Sequence, residues 1–253
     1  MTSNNQQPPR PASPQSKRGW LLQLTGELLI TLGVILFLFV SWQLWWTNIE
    51  ARAQQDQAVA DLSQSFNQQT EQQAAESPSY DPQQPPSLAA AEEGQAFGII
   101  YIPRLGHDYA RPIAEGVGAE VLDSLGLGHY PQSQQLGQYG NFALAGHRQT
   151  NGAVLDHIDQ LQPGDPIYLQ SSQGYYTYRV YQSQIVLPHQ VEVIAPNPDN
   201  PQAPADQAQR RLLTLTSCHP RFGDQERYIV HAEFESWQPA TAGPPSDLAS
   251  LIG

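Results

Sequence analysis

An uncharged apolar run near the start constrains this chain more than any other feature of its sequence. Residues 28–46 (LLITLGVILFLFVSWQLWW) contain no charged side chain. A helix of about 20 such residues crosses the hydrocarbon core of a bilayer, and apolar character here extends back to Trp20. The sequence therefore predicts one N-terminal transmembrane helix over residues 20–46.

The charges that flank this run predict its orientation. Three basic residues precede it between positions 10 and 18, whereas no excess of positive charge follows it. By the positive-inside rule, residues 1–19 form a cytoplasmic tail and the chain after residue 46 lies outside. A cleaved signal peptide is the alternative, because residues 51–53 (ARA) resemble a cleavage site. The bulky pair Trp45 and Trp46 at the end of the run favours a retained anchor.

Residues 47–95 are predicted to form a stalk and linker between the membrane and a folded domain. Val59, Leu62 and Phe66 have weak helical spacing. The Pro-rich residues 76–86 that follow suit an extended tether. Together these stretches are expected to hold the domain at a distance from the bilayer.

Short apolar runs that alternate with Gly and Pro turns predict a mainly β domain over residues 96–238. Such a pattern favours a closed or nearly closed barrel of about eight strands with short helices. The polar residues 239–253 are predicted to be a flexible C-terminal tail. Strands are expected at residues 97–102, 111–115, 141–145, 166–170, 175–187 (one bent strand or two), 211–216 and 228–234, and short helices at 120–127 and 154–161.

Composition excludes several classes of function. The formal net charge is −12, and Lys17 is the only lysine, so no lysine-rich patch exists for nucleic acid. No cluster with metal-ligand spacing and no phosphate-cradling glycine loop is apparent, so we predict neither a metal nor a cofactor. The chain has one cysteine, Cys218. An unpaired thiol in an exported domain is either a buried apolar filler or a reactive group.

Three apolar strands with abrupt polar ends favour the reactive alternative. They are residues 141–150, which contain His147, residues 212–221, which contain Cys218, and the last strand, which opens at Arg227. If the last two strands are antiparallel neighbours, Cys218 and Arg227 face each other at one rim. A thiolate is a nucleophile, a histidine moves the proton, and a guanidinium stabilises an acyl oxyanion.

The residues alone leave the choice of nucleophile and histidine open. This reasoning does not distinguish a buried thiol at Cys218 from a reactive one. His219 points to the opposite face in a strand but could reach back if the strand ends at Cys218. His231 is expected to be a cross-strand or surface residue. The remaining histidines lie in or near predicted turns and are expected to be solvated: His107, His129, His157 and His189.

Several motifs in order resemble the sortases. Residues 214–222 (TLTSCHPRF), with Arg227 downstream, resemble the catalytic signature of that family. The His-Pro after the cysteine and residues 145–148 (AGHR) resemble class E, the actinobacterial group. Ser217 departs from the pattern, since threonine commonly precedes the cysteine. Further similar segments are residues 102–106 (IPRLG), 128–131 (GHYP), 162–165 (QPGD) and 186–188 (VLP).

This resemblance implies an eight-stranded sortase-type β-barrel and a cysteine transpeptidase. His147, Cys218 and Arg227 would be catalytic, whereas Tyr109, Tyr130 and Ser217 are candidates for binding substrate. The substrates would be secreted proteins with a C-terminal sorting signal similar to Leu-Ala-x-Thr-Gly, cleaved after Thr. The acyl group would pass to the amine of a peptidoglycan precursor.

Three rival functions remain. A pilin-polymerising sortase carries a lid with an Asp-Pro-aromatic element, whereas Asp81 and Pro82 are followed here by Gln83. A plain cysteine hydrolase would release the acyl group to water instead of an amine. A catalytically silent, membrane-tethered binding module would lack a reactive thiol.

Overall fold

The computed structural model describes residues 17–73 and 79–252. Most of the predicted cytoplasmic tail, part of the predicted tether and the last residue lie outside this described part. The helices are α1 (Lys17–Gln73), α2 (Ala119–Ser124) and α3 (Ser246–Ile252). The strands are β1 (Ala96–Tyr101), β2 (Ala110–Glu115), β3 (Leu127–His129), β4 (Gly140–Gly146), β5 (Pro166–Ser171), β6 (Gly174–Val186), β7 (Arg211–His219) and β8 (Glu226–Pro239).

The eight strands close into a barrel in the order β1-β2-β3-β4-β7-β8-β6-β5. The pairs β2–β3 and β4–β7 are parallel, and the other neighbours are antiparallel. Closure leaves no unpaired sheet edge, which is how many all-β domains avoid edge-to-edge association. The predicted mainly β barrel of eight strands with short helices is confirmed.

Alternation along the strands fills the barrel interior. In β7, Leu213 and Leu215 point inward and are fully buried, and Phe142 and Leu144 do the same in β4. Their neighbours in sequence point to the outer face, because successive side chains of a strand alternate. The inner face is therefore a packed apolar core, and any chemistry must lie on the outer face or at a rim.

The first part of α1 carries the predicted membrane segment. Between residues 19 and 42, its large apolar side chains are mostly exposed, as with Leu29 and Phe37. By length and composition, this helix is able to cross a membrane.

The part of α1 from residue 46 to residue 73, here called the brace helix, packs along the barrel. Phe66 is buried with Ile99 and Tyr101, and Val59 and Leu62 pack against the same cluster. The helical spacing in the sequence is thus the buried face of a helix. The prediction of a stalk that stands apart from the domain is corrected for this segment, which is packed onto it.

The Pro-rich linker that follows also lies against the barrel. The carbonyl of Pro86 accepts a hydrogen bond from Tyr176, and the backbone of Leu88 bonds to Leu136. The backbone N–H of Trp237 bonds to Pro82. The described part of the predicted tether is therefore extended, yet it is fixed to the domain.

Three local predictions need correction. Within residues 154–161, only Ile158–Gln160 is helical, as a short 3-10 turn. The apolar side chains of this segment pack into the core, but the segment is irregular and too short to nucleate an α-helix. β3 is the one strand that the sequence did not predict, and it begins where the first short helix was expected to end. Residues 175–187, predicted as one bent strand or two, correspond to the single long strand β6, which has two bulges. The predicted flexible tail contains α3, which buries Leu248 against Phe66 and its cluster.

Candidate active site

Strand register brings the three predicted catalytic residues together. Cys218 of β7 lies directly opposite Arg227 of β8 in the antiparallel ladder. On the other side of β7, the parallel ladder with β4 ends at the pair Ala145 and Thr216. His147 directly follows Gly146, the last residue of β4, and so lies at the same end of the sheet as Cys218. The expectation that Cys218 and Arg227 face each other agrees with the register.

By strand alternation, Cys218 and Arg227 lie on the outer face of the barrel. Thr216 and Ile229, two positions before Cys218 and two after Arg227, line a groove of about 420 Å³ on that face. Residues 186–196, the groove wall, form its opposite side with mostly apolar side chains. Strands thus form the floor, and the segment that follows β6 forms most of the wall, an arrangement that suits an extended peptide.

His147 is held by a carboxylate that sequence reasoning missed. Its Nε2 lies 2.7 Å from Oδ1 of Asp123, the last but one residue of α2. The side-chain amide of Asn151 donates to the same oxygen at 2.7 Å. In the described part of the chain, Nδ1 of His147 has no hydrogen-bond partner. A carboxylate on one ring nitrogen fixes the tautomer and leaves the other nitrogen to move a proton.

Arg227 is bonded to backbone rather than to carboxylates. Its Nη1 donates to the carbonyls of Asp224 and Glu226 at 2.8 and 2.9 Å. A surface arginine would be expected to pair with the carboxylate of Asp224 or Glu226, yet among the described residues Arg227 forms no ion pair. These bonds use one nitrogen, so Nε and Nη2 remain to donate to a developing oxyanion.

Arg148 ties the ends of β4 and β7 together. It is 4% exposed, and its Nη1 donates to the carbonyl of Cys218 at 3.3 Å and to Nδ1 of His219 at 3.0 Å. Its Nη2 pairs with Asp159 at 2.9 Å. Because His219 accepts from Arg148, its Nδ1 cannot also act as a base. This contact favours His147 over His219 as the proton carrier.

The three candidate substrate-binding residues lie in different environments. Tyr130 lines the groove, and its hydroxyl is 3.1 Å from Oγ1 of Thr216. Ser217 is buried and donates to the carbonyl of Gly146 at 2.8 Å, so it joins two strands.

Tyr109 needs correction. It lies in the core, where its hydroxyl donates to the carbonyl of Val154 at 2.7 Å and burial raises its pKa. Tyr109 therefore packs in the barrel core and does not line the groove.

Two further histidines are buried in polar networks. His129 was expected to be solvated but is fully buried, with Nδ1 2.8 Å from Glu115 and Nε2 3.0 Å from Ser133. Oγ of Ser133 also lies 2.9 Å from the carbonyl of Tyr130. The network therefore supports the turn that carries the groove tyrosine. The prediction for His129 was wrong because this residue ends β3, a strand whose three residues are all buried.

His231 belongs to a second network beneath the groove wall. It is a cross-strand partner of Thr214, with Nδ1 2.8 Å from the hydroxyl, which in turn donates to Asn141 at 2.7 Å. The amide of Asn141 donates to the carbonyls of Val193 and Ala195, both at 3.1 Å. Burial lowers the pKa of His231 to about 4. The cross-strand expectation for this residue agrees with the structure.

Comparison with known proteins gives a consistent result. The family described as "Sortase domain" matches residues 100–235. Sortase SrtE1 of Streptomyces coelicolor is 35% identical over 232 residues, and the match covers 89% of this chain and 60% of that protein. This chain therefore spans about three fifths of that relative's length.

Two solved structures extend the comparison to the fold. SrtA sortase from Actinomyces oris superposes with a TM-score of 0.61 at 40% identity, covering 64% of this chain and 92% of that one. Sortase E from Streptomyces avermitilis gives 0.56 at 40% identity, covering 62% and 99%. These similarities confirm the resemblance drawn from the sequence.

Proposed function

Because this chain belongs to the sortase family, we propose that it is a cysteine transpeptidase with Cys218 as nucleophile, His147 as acid/base partner and Arg227 as oxyanion-stabilising cation. The observation that carries this proposal is the register of the two ladders around β7. They set Cys218 opposite Arg227 and bring the end of β4, which leads into His147, to the same rim. Side chains at strand ends are held by the sheet and remain open to substrate.

The first half of the reaction forms an acyl-enzyme. The Cys218 thiolate attacks the carbonyl carbon of a Thr residue in the sorting signal, and a C–S bond forms. The oxyanion of the tetrahedral intermediate accepts hydrogen bonds from the free guanidinium nitrogens of Arg227. The C–N bond to the next residue then breaks, and His147 gives its proton to the departing amine.

The second half transfers the acyl group. The amine of a cell-wall precursor attacks the thioester, and His147 takes a proton back from it. An amide bond forms, the C–S bond breaks, and the Cys218 thiolate is restored. Neither half consumes an oxidant or a cofactor.

The groove supplies the binding site for the sorting signal. An extended peptide on the outer face would lie between the floor, with Thr216 and Ile229, and the apolar groove wall. Small apolar residues of a Leu-Ala-x-Thr-Gly-like signal fit such a lining. Tyr130 at the same groove is a further contact for the peptide.

The position of Asp81 and Pro82 bears on the pilin-polymerising alternative. The carboxylate of Asp81 accepts from the backbone N–H of Gln83, and Pro82 bonds to Trp237 near the end of β8. Arg227 lies near the start of the same strand. This Asp-Pro segment therefore does not cover Cys218, which supports the wall-anchoring role.

The chain is anchored by the apolar part of α1 and acts outside the cytoplasmic membrane. This part of the proposal rests on the uncharged run over residues 28–46 and the basic residues before it. The substrates are secreted proteins with a C-terminal sorting signal.

The test uses the full chain purified in detergent. It is incubated with a peptide that contains Leu-Ala-Ala-Thr-Gly and with a set of short peptide amines, and the products are identified by mass. We expect cleavage after Thr and a new Thr–amine bond. Cys218→Ala should form neither product while its Tm stays close to that of the wild type.

Two other outcomes would replace the proposal. Release of the free Thr acid alone, with every amine tried, would make the protein a cysteine hydrolase. No cleavage of any peptide, together with no alkylation of Cys218 by iodoacetamide, would make it a silent binding module.

A further inference from the structure

The brace helix contacts the loop that follows the catalytic histidine. Asn48, Ala51, Arg52 and Gln55 lie on one helix face, at i, i+3, i+4 and i+7. Ala51 is 4% exposed, and Gln55 is fully buried. This face is turned toward residues 149–152, which begin two positions after His147.

The contacts are made to the loop backbone. The N–H of Gly152 donates to Oδ1 of Asn48 at 2.9 Å, and Nε2 of Gln55 donates to the carbonyl of Asn151 at 3.1 Å. Nε of Arg52 donates to the carbonyl of Gly152 at 3.4 Å. A Cβ on Gly152 would lie 2.5 Å from Nε2 of Gln55. Helix and loop are therefore in close contact, with no room for a side chain between them.

The loop has a conformation that depends on such support. Asn151, Gly152 and Ala153 all have positive φ, of 50°, 88° and 51°. Positive φ is costly for residues other than glycine and persists where the surroundings hold it. The brace helix binds the backbone at two of these three positions.

This loop connects the helix to the catalytic histidine. The side chain of Asn151 donates to Oδ1 of Asp123, and the same oxygen lies 2.7 Å from Nε2 of His147. The chain of contacts is thus Gln55, Asn151, Asp123, His147. Each member fixes the next through one hydrogen bond.

We propose that the brace helix is a positioning element of the catalytic centre: Gln55 and Asn48 hold the loop so that Asn151 and Asp123 orient His147. The inference rests on the proposed function, since it assigns the helix a role in the same site. The helix is then part of the enzyme, and a domain cut after residue 73 is an incomplete catalyst. The positioning residues act through His147 and do not touch the substrate.

The test compares matched variants of the full chain in detergent. Gln55→Ala removes the buried contact, whereas Gln54→Ala makes the same change at the exposed neighbour and serves as its control. Asn151→Gly removes the bond to Asp123 and keeps a backbone that tolerates positive φ. Ala153→Gly is its control, because it has the same backbone conformation in the same loop.

The expected result is a selective loss of turnover. Gln55→Ala and Asn151→Gly should each lower kcat about ten- to a hundredfold, the scale of a misplaced catalytic group. KM for the peptide should stay within about twofold, since the groove is untouched. In an Asp123→Ala background, Gln55→Ala should cause no further loss, because residues that act through one partner are not additive.

Three outcomes would overturn the inference. The first is that Gln55→Ala and Gln54→Ala have the same kcat. The second is that Asn151→Gly and Ala153→Gly have the same kcat. The third is that Gln55→Ala lowers kcat in the Asp123→Ala background as much as it does in the wild type. If Gln55→Ala does not fold, Asn151→Gly against Ala153→Gly decides.

A readout without substrate separates this inference from the proposed function. Cys218 is the only cysteine, so iodoacetamide reports on one thiol, whose reactivity depends on the histidine beside it. If the wild type cleaves no peptide, slower alkylation of Asn151→Gly than of Ala153→Gly still supports the positioning role. Equal rates would then refute it, independently of the reaction.

Discussion

Replacing Arg227 by lysine distinguishes a surface cation from a group that binds an oxyanion. In the structure, Nη1 alone holds the loop, through the carbonyls of Asp224 and Glu226. A lysine ammonium can replace that one nitrogen, and it keeps the positive charge. Lysine lacks the planar guanidinium group, so it cannot hold the loop and also offer the substrate the hydrogen bonds that Nε and Nη2 of arginine would donate.

The expected loss of activity follows from these separate roles of the guanidinium nitrogens. Since the loop bonds are retained, we expect a change in the free energy of unfolding of no more than about 0.5 kcal/mol. The loss of one oxyanion donor costs about a hundred- to a thousandfold in rate, or about 3–4 kcal/mol of transition-state stabilisation. Because this interaction exists only in the transition state, the loss should fall on kcat.

The assay measures kcat and KM of the full chain with the peptide and amine described above, together with the Tm. Arg221→Lys is the control, because Arg221 lies in the same loop and forms a two-point ion pair with Asp156. It should keep its turnover within a few-fold. If Arg227→Lys turned over peptide as well as this control does, Arg227 would have to be removed from the proposed site.

Three further predictions address the histidines and the topology. His147→Ala should lose at least about a hundredfold in kcat, whereas His219→Ala should keep most activity; the reverse ranking would mean that the wrong histidine is assigned. In intact cells, protease added outside should degrade the domain and leave residues 1–19 protected, and a domain digested only after lysis would reverse the orientation. Burial lowers the pKa of His231 from 6.5 to about 4, so the fold favours the neutral imidazole. Below about pH 6.5 the unfolded chain takes up a proton that the folded chain does not. The free energy of unfolding should therefore fall by up to about 3 kcal/mol as the pH drops from 6.5 toward 4. His231→Gln should flatten this part of the curve of Tm against pH, and an unchanged slope would contradict the assignment.

The juxtaposition of Cys218 and Arg227, two of the proposed catalytic residues, could be predicted from the sequence because it follows from strand register. Cys218 lies one residue before the end of β7 and Arg227 one residue after the start of β8, and a short loop between antiparallel strands leaves little freedom in their pairing. His147 directly follows β4, another strand with the same alternation of inward and outward residues. Local pattern and ladder geometry therefore agree for these three residues.

The residues that support the site could not be found in this way. Asp123 comes from a short helix and Asn151 from a loop, and their contact with His147 depends on tertiary packing. No periodicity marks such residues, because a single polar side chain in a helix is usually only solvated. Gln55 illustrates the same limit, since a glutamine in a Gln-rich stretch gives no sign that it will be fully buried.

The alternation in β7 places the residues that form the barrel core and the residues that form the groove on opposite faces of the strand. Inward residues such as Leu213 belong to the barrel core, whereas the groove wall packs in a separate apolar cluster with Ile229. Asn141 holds that wall through backbone carbonyls, so the bonds do not depend on which side chains the wall carries. Substitutions in the wall can therefore change peptide preference while the barrel core is preserved.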